Sequence, residues 1–295
     1  MKITMLGTGT PTPSLARAGS GYLLEIGDDV IVIDHGPGAH HRLLQTGKRA
    51  VDVTHLFFSH LHYDHCCDYA RLVLTRWYVG DGRIPELKVY GPAHTQRMTS
   101  LLFDPDGVFG PDLAARTADQ GGLDTVAKSG GKAVRKWPRP EVTVVRPGSV
   151  VDGGRWRATV AESSHVQPYL ECLAYRFDTE EGSLCYAGDS GGVCQSVVDL
   201  ATGCDVLIHM NHYMTGTEPT PAYRAECGNH IDTAHVAKQA GVKTLVLTHM
   251  LEQIDRPGVR ERILREMMEI YPGDIIWGAD LLQFTPAAPQ VGPME

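Results

Sequence analysis

Four metal-binding side chains fall within six residues of this chain: His60, His62, Asp64 and His65. They follow an apolar, strand-like run at 53–59 and precede residues 66–78, whose apolar positions have helical spacing. In an extended backbone the first two side chains point the same way, whereas the last two turn to the other side as a helix begins. The segment therefore predicts a strand–loop–helix unit that supplies ligands to two metal ions a few ångströms apart. Surface histidines clustered by chance are the alternative, and so dense a pattern argues against it.

Three further candidate ligands, His165, Asp189 and His249, lie far apart in the sequence, but each follows a predicted strand. Asp189 stands in Tyr-Ala-Gly-Asp-Ser-Gly-Gly, where glycines allow the backbone to approach a site closely. Taken singly, the three could be a loop histidine, a turn-forming aspartate and a core histidine. Because a layered sheet fold gathers functional residues at its strand ends, their shared position favours one metal centre.

The residue types in this set favour zinc. Neutral imidazole and carboxylate suit Zn²⁺, and a coordination position left open to water permits catalysis. Zinc lowers the pKa of a bound water to about 7, so that hydroxide is available at neutral pH. We expect two Zn²⁺ per chain, with Mn²⁺ or Fe²⁺ as alternative metals.

Composition indicates a globular protein and argues against two classes of partner. Of 295 residues, 42% are hydrophobic and 21% charged, which excludes intrinsic disorder, and the net charge of −8 gives no general attraction to nucleic acid. No apolar run approaches the roughly 18 residues of a membrane span, and the first apolar segment is too short for a secretory signal. The seven cysteines contain no Cys-x-x-Cys pair, which is typical of a reducing compartment. We expect a cytoplasmic protein with no membrane partner.

The order of predicted elements favours an α/β fold. Strands are expected at 2–6, 21–26, 30–34, 53–59, 141–145, 156–160, 174–177, 184–187, 206–208 and 244–247. Helices are expected at 40–46, 66–78, 233–240 (capped by Asp232 and ended by Gly241) and 257–271. The stretch 91–140 is rich in Gly and Pro and is predicted to be irregular. This pattern predicts two sheets covered by helices in one domain over 1–295, with an insertion or lid at about 91–150.

Five segments together resemble one known superfamily. They are Met-Leu-Gly-Thr-Gly-Thr-Pro-Thr-Pro-Ser at 5–14, Ile-Val-Ile-Asp-His-Gly-Pro-Gly at 31–38, Phe-Phe-Ser-His-Leu-His-Tyr-Asp-His at 57–65, Tyr-Ala-Gly-Asp-Ser at 186–190 and Leu-Val-Leu-Thr-His at 245–249. The set is similar to the metallo-β-lactamase superfamily and, within it, to the ribonuclease Z and phosphodiesterase branch. The resemblance implies an αββα four-layer sandwich, in which two mixed β-sheets are flanked by helices and a dizinc site lies at one edge.

The resemblance also implies how the ligands divide. One zinc would be held by His60, His62 and His165. The other would be held by Asp64, His65 and His249, with Asp189 bridging the two ions. The motif lacks the glutamate of the H-x-E-x-D order found in diiron, oxygen-reducing relatives, so hydrolysis is favoured over redox chemistry.

Two departures from the branch bear on the substrate. Members that grip tRNA carry a long flexible arm between the third histidine and the bridging aspartate, whereas here only 24 positions separate His165 from Asp189. The glutamate of the branch's His-Glu-Ala-Thr segment is missing, because Met210 follows His209. We therefore expect a small-molecule substrate rather than tRNA. The basic stretch at 128–139 is interpreted as a solvated loop, with a phosphate-attracting lid as the alternative.

Two residues are candidate catalytic groups. Asp64, a ligand with a free oxygen, would orient the attacking water or accept its proton. His230 precedes the predicted helix at 233–240, as a catalytic histidine does in the branch, and is the candidate general acid. His212 is the alternative acid, and both histidines could instead be ordinary loop residues. Asp34 is expected to hold the metal loop through hydrogen bonds.

Three functions remain open at this stage. The first is a ribonuclease Z-like phosphodiesterase for a small substrate. The second is a hydrolase of a carbon ester, lactone or amide, which the acidic net charge favours. The third is a metal-binding protein without turnover, which the complete ligand set disfavours. A homodimer is compatible with each.

Overall fold

The chain forms two β-sheets that pack face to face, with helices on both outer sides. The computed structural model describes residues 1–131, 136–286 and 288–292. Its strands are β1 (Lys2–Gly7), β2 (Gly21–Ile26), β3 (Asp29–His35), β4 (His55–Phe57), β5 (Lys88–Gly91), β6 (Glu141–Val144), β7 (Val150–Asp152), β8 (Trp156–Glu162), β9 (Leu173–Thr179), β10 (Gly182–Tyr186), β11 (Val206–Met210), β12 (Thr244–Thr248), β13 (Asp274–Trp277), β14 (Gln283–Thr285) and β15 (Ala288–Gly292). Its helices are α1 (Ala39–Gln45), α2 (Tyr63–Cys66), α3 (Tyr69–Gly80), α4 (His94–Phe103), α5 (Gly110–Ala118), α6 (Gln120–Lys128), α7 (Gln195–Ala201), α8 (Pro221–Glu226), α9 (His230–Ala240) and α10 (Val259–Met268).

Both sheets are mixed, and each changes from antiparallel to parallel pairing part of the way across. The first has the order β15-β14-β1-β2-β3-β4-β5-β6, and its pairs are antiparallel up to β3 and parallel from β3 to β6. The second has the order β13-β12-β11-β10-β9-β8-β7, parallel from β13 to β10 and antiparallel beyond. The predicted αββα sandwich of two mixed sheets flanked by helices is confirmed.

Three apolar clusters hold the four layers together. Aromatic side chains dominate the cluster between the sheets, where the Phe57 ring lies 5.4 Å from that of Tyr175 and 5.2 Å from that of Phe177. A second cluster packs α7, α9 and α10 on one outer face, and a third packs α1 and α3 on the other. The parallel strands β11 and β12 are buried along their whole length, which explains why they are continuous apolar runs in the sequence.

The stretch predicted to be irregular contains three helices, and this part of the prediction is wrong. Some of its glycines and prolines lie at helix starts rather than in loops: α5 begins at Gly110 with Pro111 in its first turn. At the start of α6, the Asp119 carboxylate accepts a hydrogen bond from the Gly122 N–H at 2.7 Å. α4 packs against β5 and β6, and α5 contacts α6. Of the basic stretch at 128–139, residues 132–135 lie outside the described part of the chain.

The start of α9 also differs from the prediction. The helix begins at His230, and Asn229 caps it: its side-chain oxygen accepts hydrogen bonds from the N–H groups of Ile231 and Asp232 at 3.1 and 3.0 Å. Asp232 instead lies in the first turn and pairs with Arg224 at 2.8 Å. The predicted end of the helix is confirmed, because Gly241 adopts a φ of 63° there.

Within the described residues, none of the helices combines the length and the apolar character that crossing a membrane requires.

Candidate metal centre

Four strand ends bring the candidate ligands together. β4 of the first sheet leads into the loop and helix α2 that carry the histidine motif, whereas β8, β10 and β12 of the second sheet precede the other three ligands. These three strands run in the same direction, so their carboxyl ends lie at one edge of the sheet. The motif side chains and the three distant ones meet there, and all are buried except the half-buried His62.

The backbone around Asp189 confirms that its glycines serve close approach. Gly188 has a φ of 64°, and a Cβ added there would lie 2.8 Å from the Leu173 carbonyl oxygen. Gly191 is as tightly enclosed, since a Cβ would lie 2.4 Å from the backbone of Ala225. The turn after β10 can therefore place its carboxylate only because both positions lack a side chain.

Four ligand atoms form a first cluster: they belong to His60, His62, His165 and Asp189 and lie within 4.8 Å of one another. His62 Nδ1 is 2.9 Å from His60 Nε2 and 3.3 Å from His165 Nε2. Asp189 Oδ2 lies 3.7 Å from His165 Nε2 and 4.0 Å from His60 Nε2. Ligand atoms about 2.0–2.1 Å from a tetrahedral zinc are about 3.3 Å apart, so the cluster has the size of a zinc site.

Asp64, His65 and His249 form a second cluster beside the first. Asp64 Oδ2 lies 3.1 Å from His249 Nε2 and 3.6 Å from His65 Nε2. Asp189 borders this cluster too, with its Oδ1 3.5 Å from His65 Nε2 and its Oδ2 3.3 Å from His249 Nε2. Its carboxylate therefore stands between the two clusters, which is the position of a bridging ligand.

Two buried ligand atoms have no hydrogen-bond partner among the described residues: Asp64 Oδ1 and His65 Nε2. Leaving a buried polar atom unpaired costs about 1–3 kcal/mol. Two such atoms inside one ligand cluster therefore indicate a cation-binding site. Imidazole nitrogens and carboxylate oxygens are also the donors that divalent transition metals prefer. The residues present fit a metal.

Asp34 holds the loop that carries the histidine motif, as the sequence predicts. Its buried carboxylate accepts hydrogen bonds from the Ser59 N–H and hydroxyl at 2.8 and 2.7 Å, and from His65 Nδ1 and the Tyr186 hydroxyl, both at 2.8 Å. The bond to Nδ1 leaves Nε2 of His65 for the metal side. On the other side of the centre, His165 Nδ1 donates to the Glu226 carbonyl oxygen at 2.6 Å. Sequence reasoning missed the contacts made by Tyr186 and Glu226, because each joins residues far apart in the sequence, although Tyr186 opens the segment at 186–190.

Burial and neighbouring charges set the protonation of the ligands. Burial, together with the nearby His65, holds the pKa of His60 well below its usual value. Burial alone would raise the pKa of the Asp189 carboxyl, but His249 and His65 hold it well below its usual range. Burial alone would lower the pKa of His65, yet Asp189 and Asp34 raise it well above its usual value. The raised pKa of His65 means that its positively charged form is stabilised by the nearby carboxylates. The same carboxylates would stabilise a divalent cation, with which a proton competes.

His230 lies outside the two clusters. It is fully buried at the start of α9, and both of its ring nitrogens are engaged. Its Nε2 bonds the Glu266 carboxylate at 2.8 Å, and its Nδ1 accepts the Thr215 N–H at 3.1 Å. Burial lowers the pKa of His230, and Glu266 acts in the opposite direction. Its role as the general acid stays a prediction.

His212, the alternative acid, lies directly beside the second cluster. Its Nδ1 is 3.2 Å from Nδ1 of His249, and its ring centroid lies 5.2 Å from that of His249. Burial and the neighbouring His249 lower the pKa of His212 to about 4. Of the two candidate acids, His212 is the one in contact with a cluster residue.

Comparison with known proteins adds both a family and a fold. The family model for the beta-lactamase superfamily domain matches residues 30–250. A ribonuclease Z from Mycobacterium sp. (strain KMS) is 30% identical over 287 residues, which cover 95% of this chain and 94% of that protein.

Two solved structures share the architecture at lower identity. The metallo-beta-lactamase fold protein YhfI from Bacillus subtilis is 19% identical and superposes with a TM-score of 0.73, over 96% of this chain and 98% of that one. A diphosphatase from the PhnP family is 15% identical, with a TM-score of 0.66 over 96% of each chain. At these identities, the two structures support the fold alone.

Proposed function

This chain belongs to the beta-lactamase superfamily, as a hydrolase of the metallo-β-lactamase fold, and we propose that it is a dinuclear zinc phosphodiesterase for a small substrate. The family match confirms the resemblance read from the five sequence segments. The observation that carries the proposal is the position of Asp189, whose carboxylate borders both ligand clusters: His60 and His165 of the first, and His65 and His249 of the second. One carboxylate shared in this way supports two ions rather than one.

The proposed metal ligands are the seven residues already predicted from the sequence. His60, His62 and His165 would hold one ion, Asp64, His65 and His249 the other, and Asp189 both. Two divalent cations supply Lewis acidity and activate water for attack at neutral pH. Elemental analysis of gently purified protein should find about two zinc per chain. A single ion, or none, would refute the dinuclear site.

Asp64 and one histidine would carry out the proton transfers. One oxygen of Asp64 is bonded to His249, whereas Oδ1 has no partner among the described residues and can orient a water or accept its proton. The leaving group needs a proton donor. His230 is the proposed donor from the sequence, and His212 competes with it because of its contact with His249.

A phosphorus centre is supported by the relatives. The mycobacterial relative is a ribonuclease, and that name describes cleavage of a bond to phosphorus. Small size is supported by the segment between His165 and Asp189, most of which is the antiparallel pair β9–β10 within the second sheet. That segment has no length left for an arm that could grip a tRNA.

The zinc-loaded protein should be assayed against bis-p-nitrophenyl phosphate, p-nitrophenyl acetate, a lactone panel and a precursor tRNA. We expect turnover of the phosphodiester above the carbon esters and no efficient cleavage of the tRNA. Turnover confined to esters or lactones would favour the carbon-ester alternative. Efficient, salt-sensitive 3′ cleavage of the tRNA would refute the small-substrate proposal.

We further propose that the protein works in the cytoplasm, since all seven cysteines are free thiols and suit a reducing compartment. Fractionation of cells that express a tagged chain tests this. A homodimer stays a prediction, for which light scattering is the direct measurement.

A further inference from the structure

One arginine occupies a core-facing position of helix α3. The buried residues of this helix are Tyr69, Leu72, Val73, Arg76 and Gly80, which recur at the three- and four-residue spacing of one helix face. The other members of this face are aromatic, aliphatic or glycine, and Arg76 is only 6% exposed. Arginine is almost never buried so deeply unless a counter-ion accompanies it, because moving an unpaired charge out of water is unfavourable.

Within the described residues, no group supplies that counter-ion. The Arg76 Nε is buried without a hydrogen-bond partner, and the guanidinium makes no hydrogen bond or ion pair with any residue of the described ranges. Burial lowers the pKa of Arg76, and the nearby Glu86 acts in the opposite direction. The Glu86 carboxylate is exposed and accepts a hydrogen bond from the Arg139 N–H at 3.2 Å rather than from Arg76.

The Arg76 side chain lines a small cavity beside α3. The cavity measures about 40 Å³, and its walls are mainly apolar, including Trp77, Ile84, Leu87 and Pro138. A water molecule needs about 10–15 Å³ of such space, so the cavity has room for roughly three water-sized groups. This is the size of a carboxylate group rather than that of a nucleotide.

The charge and shape of the cavity favour one class of ligand. A guanidinium presents parallel N–H groups that match the two oxygens of a carboxylate. A single arginine among apolar walls balances one negative charge, so a monoanion fits the cavity. A dianion such as sulfate would leave one charge unpaired beside Glu86, which lines the same cavity.

We propose that Arg76 and this cavity form a second ligand site, which binds the carboxylate group of a small organic acid. None of the described residues that line the cavity belongs to either metal-ligand cluster. The ligand is therefore a molecule separate from the substrate of the metal centre, and the inference does not depend on the proposed function.

Calorimetric unfolding of the metal-loaded protein tests the site, with acetate as the probe. At the same pH and ionic strength, acetate titrated to about 100 mM should raise the melting temperature by about 2–4 °C over chloride, because a ligand that binds the folded state stabilises it. Sulfate is the dianionic probe. The part of its effect that depends on Arg76 should be at most about half that of acetate.

Variants locate the effect. Arg76→Met replaces a buried charge by an apolar side chain of similar length, so it should keep or raise the melting temperature in chloride and lose the rise in acetate. Glu86→Gln removes the negative charge beside the site and should strengthen acetate binding about two- to fivefold. Arg97→Met, which removes an exposed arginine on α4, is the matched control and should keep the rise.

Four results would overturn the inference. A melting temperature that falls by more than about 3 °C in chloride, in Arg76→Met or in Glu86→Gln, would show that the arginine already has a partner within the protein. The absence of a rise in acetate would show that the cavity binds no carboxylate. A rise that survives Arg76→Met would locate acetate elsewhere, as at the metal centre. An Arg76-dependent rise that is larger with sulfate than with acetate would identify a site for dianions.

Discussion

At the scale of single residues, Asp189 is the side chain on which both clusters depend. We predict that Asp189→Ala loses both metal ions and hydrolytic activity together, because its carboxylate borders both clusters. Metal content should fall from about two ions per chain to less than one, and the rate to that of the uncatalysed reaction. Elemental analysis and an activity assay on the same sample measure this.

Asp28→Ala is the matched control, since this aspartate is exposed in the turn before β3. It should change neither metal content nor rate. An Asp189 variant that keeps both ions would show that the carboxylate does not bridge them.

His230 gives the second prediction at this scale. We predict that His230→Ala keeps both metals, since its hydrogen bonds go to Glu266 and Thr215 rather than to a ligand. As a general acid it should lower turnover by roughly 10²–10⁴. His235→Ala, on the same helix, is the control.

An unchanged rate in the His230→Ala variant would indicate that His212, rather than His230, is the general acid. Loss of metal would instead show that the buried imidazole supports the centre structurally. Metal content and rate together therefore distinguish the roles considered for this histidine.

The grouping of the seven candidate ligands could be predicted from the sequence because each carries metal-binding chemistry and follows an apolar run. Asp34 could be predicted because it stands beside the motif-like Ile-Val-Ile run of β3. The bond from Tyr186 to Asp34 could not, since it spans 152 positions and the segment at 186–190 does not show which residue the hydroxyl contacts. The hydrogen bond between His230 and Glu266 could not be predicted either, because 36 positions separate the two residues and no local pattern indicates the contact.

At the scale of elements, the cap of α9 offers a test of local stability. Asn229 accepts two N–H groups of the first turn, and Asn229→Ala leaves them unpaired. We predict a loss of about 1–2 kcal/mol in the free energy of unfolding. Asn229→Ser should lose less, because its hydroxyl oxygen can still accept a hydrogen bond from the first turn. Urea unfolding measures both, and equal stability of all three proteins would contradict the capping role.

Helices and strands could be predicted where the apolar periodicity is strong. The prediction failed where glycine and proline, which often indicate a loop, lie at the start of a helix. Buried runs such as those of β11 and β12 stand out because both faces are apolar. Helices α5 and α6 were missed because Pro111 and the glycines at 121–122 read as loop signals, although all three lie in first turns. Local composition alone does not distinguish the start of a helix from a loop, because the tertiary contacts of the residues that follow decide between them.

At the scale of the whole molecule, metal binding should stabilise the fold, because its ligands come from both sheets. Anything that binds the folded state alone adds to the free energy of unfolding, by about 4 kcal/mol at a thousandfold excess over its Kd. We predict that chelation lowers the melting temperature on the order of 10 °C and that re-added zinc restores it. Calorimetry with and without chelator measures the change, and no shift would mean that the ions do not join the sheets.

The order in which the ligands occur has a consequence for how the centre is assembled during synthesis. The histidine motif leaves the ribosome first, Asp189 follows more than a hundred residues later, and His249 arrives last of the seven candidate ligands, with β12. A metal ion that arrived early would find only the ligands of the histidine motif. On the proposed assignment, the nascent chain therefore completes its metal centre only once β12 has been made, when β4 of the first sheet and β8 and β10 of the second are already present.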